Sequence, residues 1–459
     1  MEVREMPGWE SLHLIYQKEK RQKYEEGFDV SSILDDEKLS IHQQQDMEKM
    51  MHVFHDLPKR NDFPFIESND IESIMKDAKH IISSSHVPTY QNFYGAMLGR
   101  SVGCMLGKPL EVGPYFWEST HEIPGWQNIK KWYALANQYP IRDYVPKYSK
   151  ASSEGLFVAY ETCLKDQIKF VETDDDIRYT LLSLELMENK GITFSSFDIG
   201  KLWHNHLPYQ YVCTAETQAY LNFAQVTEHL APGNLPYTTD RADYVRMHHN
   251  PYREWIGAQI RIDGYAYAAA GNPLMAAKLA FTDSSFSHVK NGVYGAMFFA
   301  ALIASAFVEK NFEVCIEQAL LVIPKTSRLY AYIKKTINIV KEEHDLETMM
   351  RQVWTYLLDY DPAHTINNAC ICVAAILFSK GDFNQAITTA VLFGLDTDCN
   401  GATVGSFMGA LLGEQSIEAH WRNPLNDTIL SMLPNYHPIA ITEVSKRFYN
   451  LYLKYSTHD

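Results

Sequence analysis

A basic surplus is absent from this chain of 459 residues: 41 Lys and Arg stand against 56 Asp and Glu, a net charge of −15. An acidic surface repels phosphate backbones and no Lys/Arg stripe offsets it, so nucleic acid is not expected as a partner. Long apolar runs are missing too. The longest, Gly292–Phe307, falls short of the roughly 20 residues a membrane helix needs, and Lys290 and Glu309 bracket it; it reads as a buried helix, with no membrane role. The opening MEVREMPGWE lacks the apolar core of a secretory leader. The seven cysteines have no framework spacing, and the close pair Cys370 and Cys372 finds no second pair to complete a zinc site. Reduced thiols and a cytoplasmic location are therefore expected. There is no Walker-type phosphate loop, no G-x-S-x-G elbow and no series of alternating apolar and polar residues, which leaves little room for a sheet.

What the chain does have is helical periodicity at an ordinary globular composition, 46% hydrophobic and 21% charged. The predicted fold class is all-α. Residues 1–85, rich in charge and Gln (EKEKRQKYEEG, HQQQDMEKMMHVF), read as an N-terminal helical extension; loop signals in SSSHVPTY set it off from one large domain over 86–459. Within that domain Gly95, Gly99, Gly103 and Gly107 recur at every fourth position, as do Gly401, Gly405, Gly409 and Gly413. Each interior helix glycine costs up to about 1 kcal/mol relative to Ala, so two such stripes need a compensating gain. Fourfold spacing puts them on one helix face, where another backbone can approach closely. The last glycine of each stripe is a candidate helix C-terminal residue.

Two acidic clusters sit at predicted helix N-termini: Glu172-Thr173-Asp174-Asp175-Asp176 and Asp396-Thr397-Asp398-Cys399-Asn400. Helix capping explains one such cluster, with Thr173 and Asp176 as a capping box. Their TDDD and DTD cores together supply two Thr hydroxyls and five carboxylates, whose mutual repulsion on converging calls for a hard dication. Oxygen-only ligands suit Mg²⁺, Ca²⁺ or Mn²⁺, and two adjacent ions can share so many carboxylates. If the glycine-striped helices pack antiparallel, Glu111 at the end of the first lies beside Asp396 and Asp398 at the start of the second.

The order GAMLGRSVGCMLGKPLE, TDDD, GAQIR…SFSHVKNGVYGAM, GLDTDCNGATVG over roughly residues 90–415 resembles the ADP-ribosylglycohydrolase family. The resemblance implies an all-α catalytic domain with two Mg²⁺ (or Mn²⁺) ions gripping ribose hydroxyls while the C1 glycosidic bond is hydrolysed. It assigns Thr173, Asp174, Asp175, Asp396 and Asp398 as metal ligands, and Glu111 or Asp175 as the catalytic group that positions water. His288 matches a His that touches ADP-ribose, while Tyr252 and Gly257 fall on a substrate-lining loop. The implied partner is an ADP-ribosylated protein or a ribosylated small molecule. Cys399 stands where many members have a ligating Thr, Cys104 where many have Asp, and the segment from Glu122 to Lys150 is long. These departures leave open a nucleoside-like N-ribosyl hydrolase and a non-catalytic relative.

Other groups have blander readings. His364 and Asn367 precede the helix ACICVAAILF and either line the pocket or cap that helix. His52, His55 and Asp56 read as a solvated helical face, and His248-His249 as a surface loop.

Overall fold

The alternation a sheet requires is missing from the sequence, and the structure, a computed structural model, describes residues 10–84, 86–226 and 240–456 accordingly. The leader reading of the first residues and the boundary at residue 85 lie outside the described residues. Among those described, the strands are the two-residue pair β1 (Thr428–Ile429) and β2 (Ile439–Ala440), antiparallel with Thr428 opposite Ala440. The rest is helix and connection. The helices that position the site are α1 (Leu12–Glu25), α2 (Tyr90–Gly107), α3 (Asp175–Lys190), α4 (Lys290–Ala306), α5 (Thr365–Phe378), α6 (Thr397–Leu412) and α7 (Ile441–Tyr455). The sequence of α4, NGVYGAMFFAALIASA, is apolar on every side, and every residue from Asn291 to Ala306 is buried. Such a helix is stable only when surrounded. None of the described helices is long and apolar enough to cross a membrane.

The glycine stripes of α2 and α6 face each other antiparallel. A Cβ added to Gly95 would stand 2.4 Å from the Gly409 carbonyl oxygen, one on Gly99 2.1 Å from that of Gly405, and one on Gly103 1.9 Å from that of Gly401. The missing side chains are the contact. Both ends are latched by hydrogen bonds: Asn92 Nδ2 donates to Ala410 O (2.9 Å) and Thr397 Oγ1 to Gly107 O (2.8 Å). Gly413, at φ +81°, ends α6 as expected, its N–H bonding Gly409 O. Gly107 does not end α2 in that way. It keeps right-handed geometry (φ −79°) and leads into a 3₁₀ turn, Lys108–Leu110, because its role is close approach: a Cβ there would meet Thr397 O at 2.1 Å.

The N-terminal segment has a small core of its own, in which Ile15, Tyr16, Ile33, Leu39, Met47, Met51 and Phe54 cluster. It docks on the rest of the chain through charge. Arg253, 1% exposed, holds Glu19 by two bonds (2.6 and 2.9 Å) and Glu26 (2.9 Å). Arg328 bridges Glu67 and Glu254, each at 2.7 Å, and Gln22 Nε2 donates to Glu254 (2.7 Å). Lys290 pairs with Glu26 (2.6 Å). The charge-rich face of α1 is thus buried against basic residues of the large domain.

Candidate active site

The antiparallel packing of α2 and α6 brings the end of the first to the start of the second. Glu111, just past the 3₁₀ turn, lies with Asp396 and Asp398 so that one oxygen of each falls within 4.8 Å of the others. Asp174, Asp175 and Asp176 converge equally closely at the start of α3, and Asp176 in turn meets Asp398 and Cys399 within the same distance. The two acidic clusters are one site.

Local backbone sets the approach. Gly394 (φ +80°) and Leu395 (φ +60°) turn the chain through two successive left-handed residues before Asp396. That conformation costs a non-glycine residue on the order of 1–2 kcal/mol, and here the Leu395 N–H bonds Tyr115 O (3.0 Å) to hold it. Asn368 Oδ1 then accepts from the Asp396 N–H (3.3 Å) and from Asn400 Nδ2 (2.9 Å). On the other side Arg100, wholly buried, pairs with Asp176 and Asp263 at 2.9 Å each.

Capping explains part of this arrangement. Asp174 caps α3, accepting from the Asp176 N–H at 3.0 Å. The cap is therefore one residue later than the Thr173–Asp176 box expected, because the Thr173 hydroxyl donates to Ser431 O (3.0 Å) and accepts from Arg178 Nη1 (2.7 Å). Asp396 precedes α6 without any side-chain capping bond. Asp396 Oδ1, Asp398 Oδ1 and Asp176 Oδ2 are buried with no hydrogen-bond partner among the described residues. Buried carboxylate oxygens left unpaired are costly, and hard oxygen donors at this spacing fit a divalent cation such as Mg²⁺ or Mn²⁺.

The electrostatics agree. Burial, then the charge of Asp174, pushes the Asp398 carboxyl up to about 7 and that of Asp175 up to about 6. Burial together with the neighbouring Asp398 raises both Glu111 and Asp396 well above the usual carboxylate range. Asp174 goes the other way. Burial would raise it, but the Lys108 ammonium, 2.6 Å from its Oδ2, outweighs burial and holds it at about 2. Lys108 also donates to Thr173 O (2.6 Å). Burial and the surrounding acids keep the Cys399 thiol protonated.

The remaining predicted residues are not among the clustered acids. Gly257 backs onto Glu216, whose Oε1 would be 2.1 Å from a Cβ there, and His288, fully buried, is 4.0 Å from the same carboxylate. Glu216 pairs with Arg261 (2.7 Å), and burial raises its carboxyl to about 7, with the charge of Asp175 adding to the effect. Tyr252 donates to Glu10 and packs on the Trp255 ring. His364 is the N-terminal cap of α5, accepting from the Ile366 N–H (3.2 Å), with its Nε2 3.8 Å from Glu254. Asn367 Nδ2 donates to Asp361 O (2.7 Å). These contacts tie Tyr252, His364 and Asn367 to the N-terminal segment and the capping loop.

Lys108 and Asn368 take part in the acidic site although the sequence did not single them out, and Asp176, read there as half of a capping box, takes part as well. Asp176 had a signal, as the third acid of its run; Lys108 and Asn368 had none.

A sequence model of the ADP-ribosylglycohydrolase family matches residues 85–454. No curated protein matches the chain. Among solved structures, one described as an ADP-ribosylglycohydrolase-related protein complex aligns at a TM-score of 0.46 and 17% identity, covering 79% of this chain and 98% of that one.

Proposed function

Since this chain belongs to the ADP-ribosylglycohydrolase family, we propose that it is a divalent-metal-dependent hydrolase that cleaves the C1 glycosidic bond of an ADP-ribosyl or ribosyl group. The observation that carries this reading is the joining of Glu111, Asp396 and Asp398 with Asp174–Asp176 around carboxylate oxygens that lack partners. Thr173, Asp174, Asp175, Asp396 and Asp398 would hold two Mg²⁺ or Mn²⁺ ions. Bound there, such ions supply positive charge that binds and orients the ribose hydroxyls.

The chain's own residues divide the remaining work. Asp174, Asp176, Asp396 and Asp398 are buried, whereas Glu111 and Asp175 keep partial exposure, so these two carboxyls are the ones that meet water and sugar. Asp175, at the start of α3, is one candidate for positioning the attacking water. Glu111, just past the α2 end beside Asp396 and Asp398, is the other candidate for positioning that water. Departure of the aglycone leaves oxocarbenium-like positive charge at C1, which the surrounding acids stabilise. Arg100 and Lys108 fix the orientation of Asp176 and Asp174 from behind.

Three buried acids with unpaired oxygens, Asp176, Asp396 and Asp398, argue against a purely structural relative, because unneutralised buried charge is destabilising. The experiment is a hydrolysis panel of ADP-ribosyl-arginine, ADP-ribosyl-serine, other ADP-ribose derivatives and free nucleosides, run on wild type, Asp396→Asn and Asp398→Asn. Turnover of at least one substrate, lost in both variants together with Mg²⁺ or Mn²⁺ binding, is the expected result. Unchanged calorimetric affinity for both ions in both variants would remove the metal site. Turnover of nucleosides alone would move the substrate class to small ribosyl metabolites.

A further inference from the structure

The two histidine pairs that read as surface in the sequence meet across the seam between the N-terminal segment and the large domain. Glu48, His52 and His55 follow one another at i, i+4 and i+7, in the short helix Met47–Met50, in the 3₁₀ turn Met51–Phe54 and just past it, and the two imidazoles lie 5.3 Å apart. His248 and His249 come from the other side, directly after the helix Arg241–Met247, with their rings stacked at 4.0 Å. His249 is not a surface residue. It is 7% exposed, its Nε2 is 3.4 Å from Glu48 Oε1, and its Nδ1 has no hydrogen-bond partner among the described residues. One ligating atom each from Glu48, His248 and His249 falls within 4.8 Å of the others. All five side chains line one cavity of about 430 Å³.

We infer that this cavity is a second metal site, in which Glu48, His248 and His249, with His52 or His55 as fourth ligand, take one Zn²⁺-class ion and clip the N-terminal segment to the large domain. Imidazole nitrogen with a single carboxylate is the donor set of a borderline cation, unlike the all-oxygen acidic site that suits Mg²⁺. Zn²⁺ with donors at about 2.0–2.2 Å wants them roughly 3.3 Å apart in a tetrahedron. Glu48, His52 and His55 are exposed, so their side chains can turn inward to make up the difference. The basic residues nearby are already engaged: Arg253 by Glu19 and Glu26, and Lys23, at 3.9 Å, by Glu19. The cavity therefore offers lone pairs to a cation.

The test is calorimetric titration of Zn²⁺ alone into the full chain, in excess Mg²⁺ to satisfy the acidic site. One Zn²⁺ should bind per chain with micromolar or tighter affinity and slow tryptic cleavage of residues 10–84. His248→Ala and Glu48→Ala should each weaken it by at least roughly tenfold, the scale on which a supporting residue already matters. Because His249 is buried, the exposed double variant His52→Ala/His55→Ala guards against loss through misfolding; it too should lose at least roughly tenfold. Asp398→Asn should leave the Zn²⁺ isotherm unchanged, which separates this site from the catalytic one. No Zn²⁺ binding in the micromolar range would overturn the inference. So would one affinity shared by wild type, His248→Ala and the double variant, or an isotherm abolished by Asp398→Asn.

Discussion

Gly103→Ala tests whether the close approach of α2 and α6 builds the acidic site. In an ordinary exposed helix this substitution would stabilise by up to about 1 kcal/mol. Here the new Cβ would lie 1.9 Å from Gly401 O and 2.2 Å from Gly401 C, whereas real Cβ atoms essentially never come within 3.0 Å of another heavy atom. The helices must separate by at least 3.0 − 1.9 = 1.1 Å, and the obstacle is backbone, which has no rotamer to change. Overpacking of a tight core costs about 1–3 kcal/mol, and a backbone clash belongs at the upper end, so we expect a net loss of about 2 kcal/mol in equilibrium urea unfolding. The same displacement carries Glu111 away from Asp396 and Asp398. Ligand constellations tolerate about 0.5 Å, so Mn²⁺ affinity by calorimetry should fall by at least roughly tenfold. A Gly103→Ala protein that is more stable than wild type and binds Mn²⁺ equally well would refute the reasoning.

Stability of the cation-free protein should fall as pH rises. The Asp398 carboxyl, at about 7 against an ordinary 3.8, keeps in the folded state a proton that the unfolded chain releases, and Asp175 at about 6 acts in the same direction. For Asp398 that gap is about 3 pH units at 1.36 kcal/mol each, on the order of 4 kcal/mol, fully present below about pH 4 and lost through pH 7. Saturating Mn²⁺ should flatten the slope; a cation-free melting temperature that rises from about pH 5 to 8 contradicts it. Lys108→Met breaks a buried pair and should cost the cation-free protein about 3–5 kcal/mol, part of it restored by Mn²⁺; an unchanged urea midpoint counts against that role. Cys399→Thr puts a hard hydroxyl beside Asp176 and Asp398 and should shift preference from Mn²⁺ toward Mg²⁺, read by competitive titration; an unaltered ratio speaks against Cys399 facing the ions.

What the sequence disclosed and what it hid follow from distance along the chain. The glycine stripes were legible because four absent side chains at helical spacing have one economical use, and an antiparallel contact then carries Glu111 to Asp396. The acids were legible from their runs. Lys108 was not, since nothing in GKPLE says that its ammonium reaches Asp174, 66 residues on. Asn368 rather than Asn367 anchors Asp396, a distinction of one residue that turns a helix by about 100° and that no loop reading resolves. The polar helix α1 read only as part of an extension because its partner Arg253 lies 234 residues beyond Glu19. The histidine pairs looked idle for the same reason: neither pair is a ligand set until the fold brings them together.

The match to the family begins at residue 85, but the charge balance of the matched region is completed by residues before it. Arg253 finds both of its carboxylates, Glu19 and Glu26, in the preceding segment; Lys290 shares Glu26, and Arg328 draws on Glu67. Each buried pair broken from one side costs about 3–5 kcal/mol, so a few together rival the whole stability of a typical domain. The consequence is hereditary. A descendant that drifts at Glu19 or Glu26 must also change Arg253, more than 200 positions away, or lose the fold. The unit that has to be inherited whole is therefore longer than the unit the family signature marks, and a gene fusion or deletion cut at residue 85 would sever it.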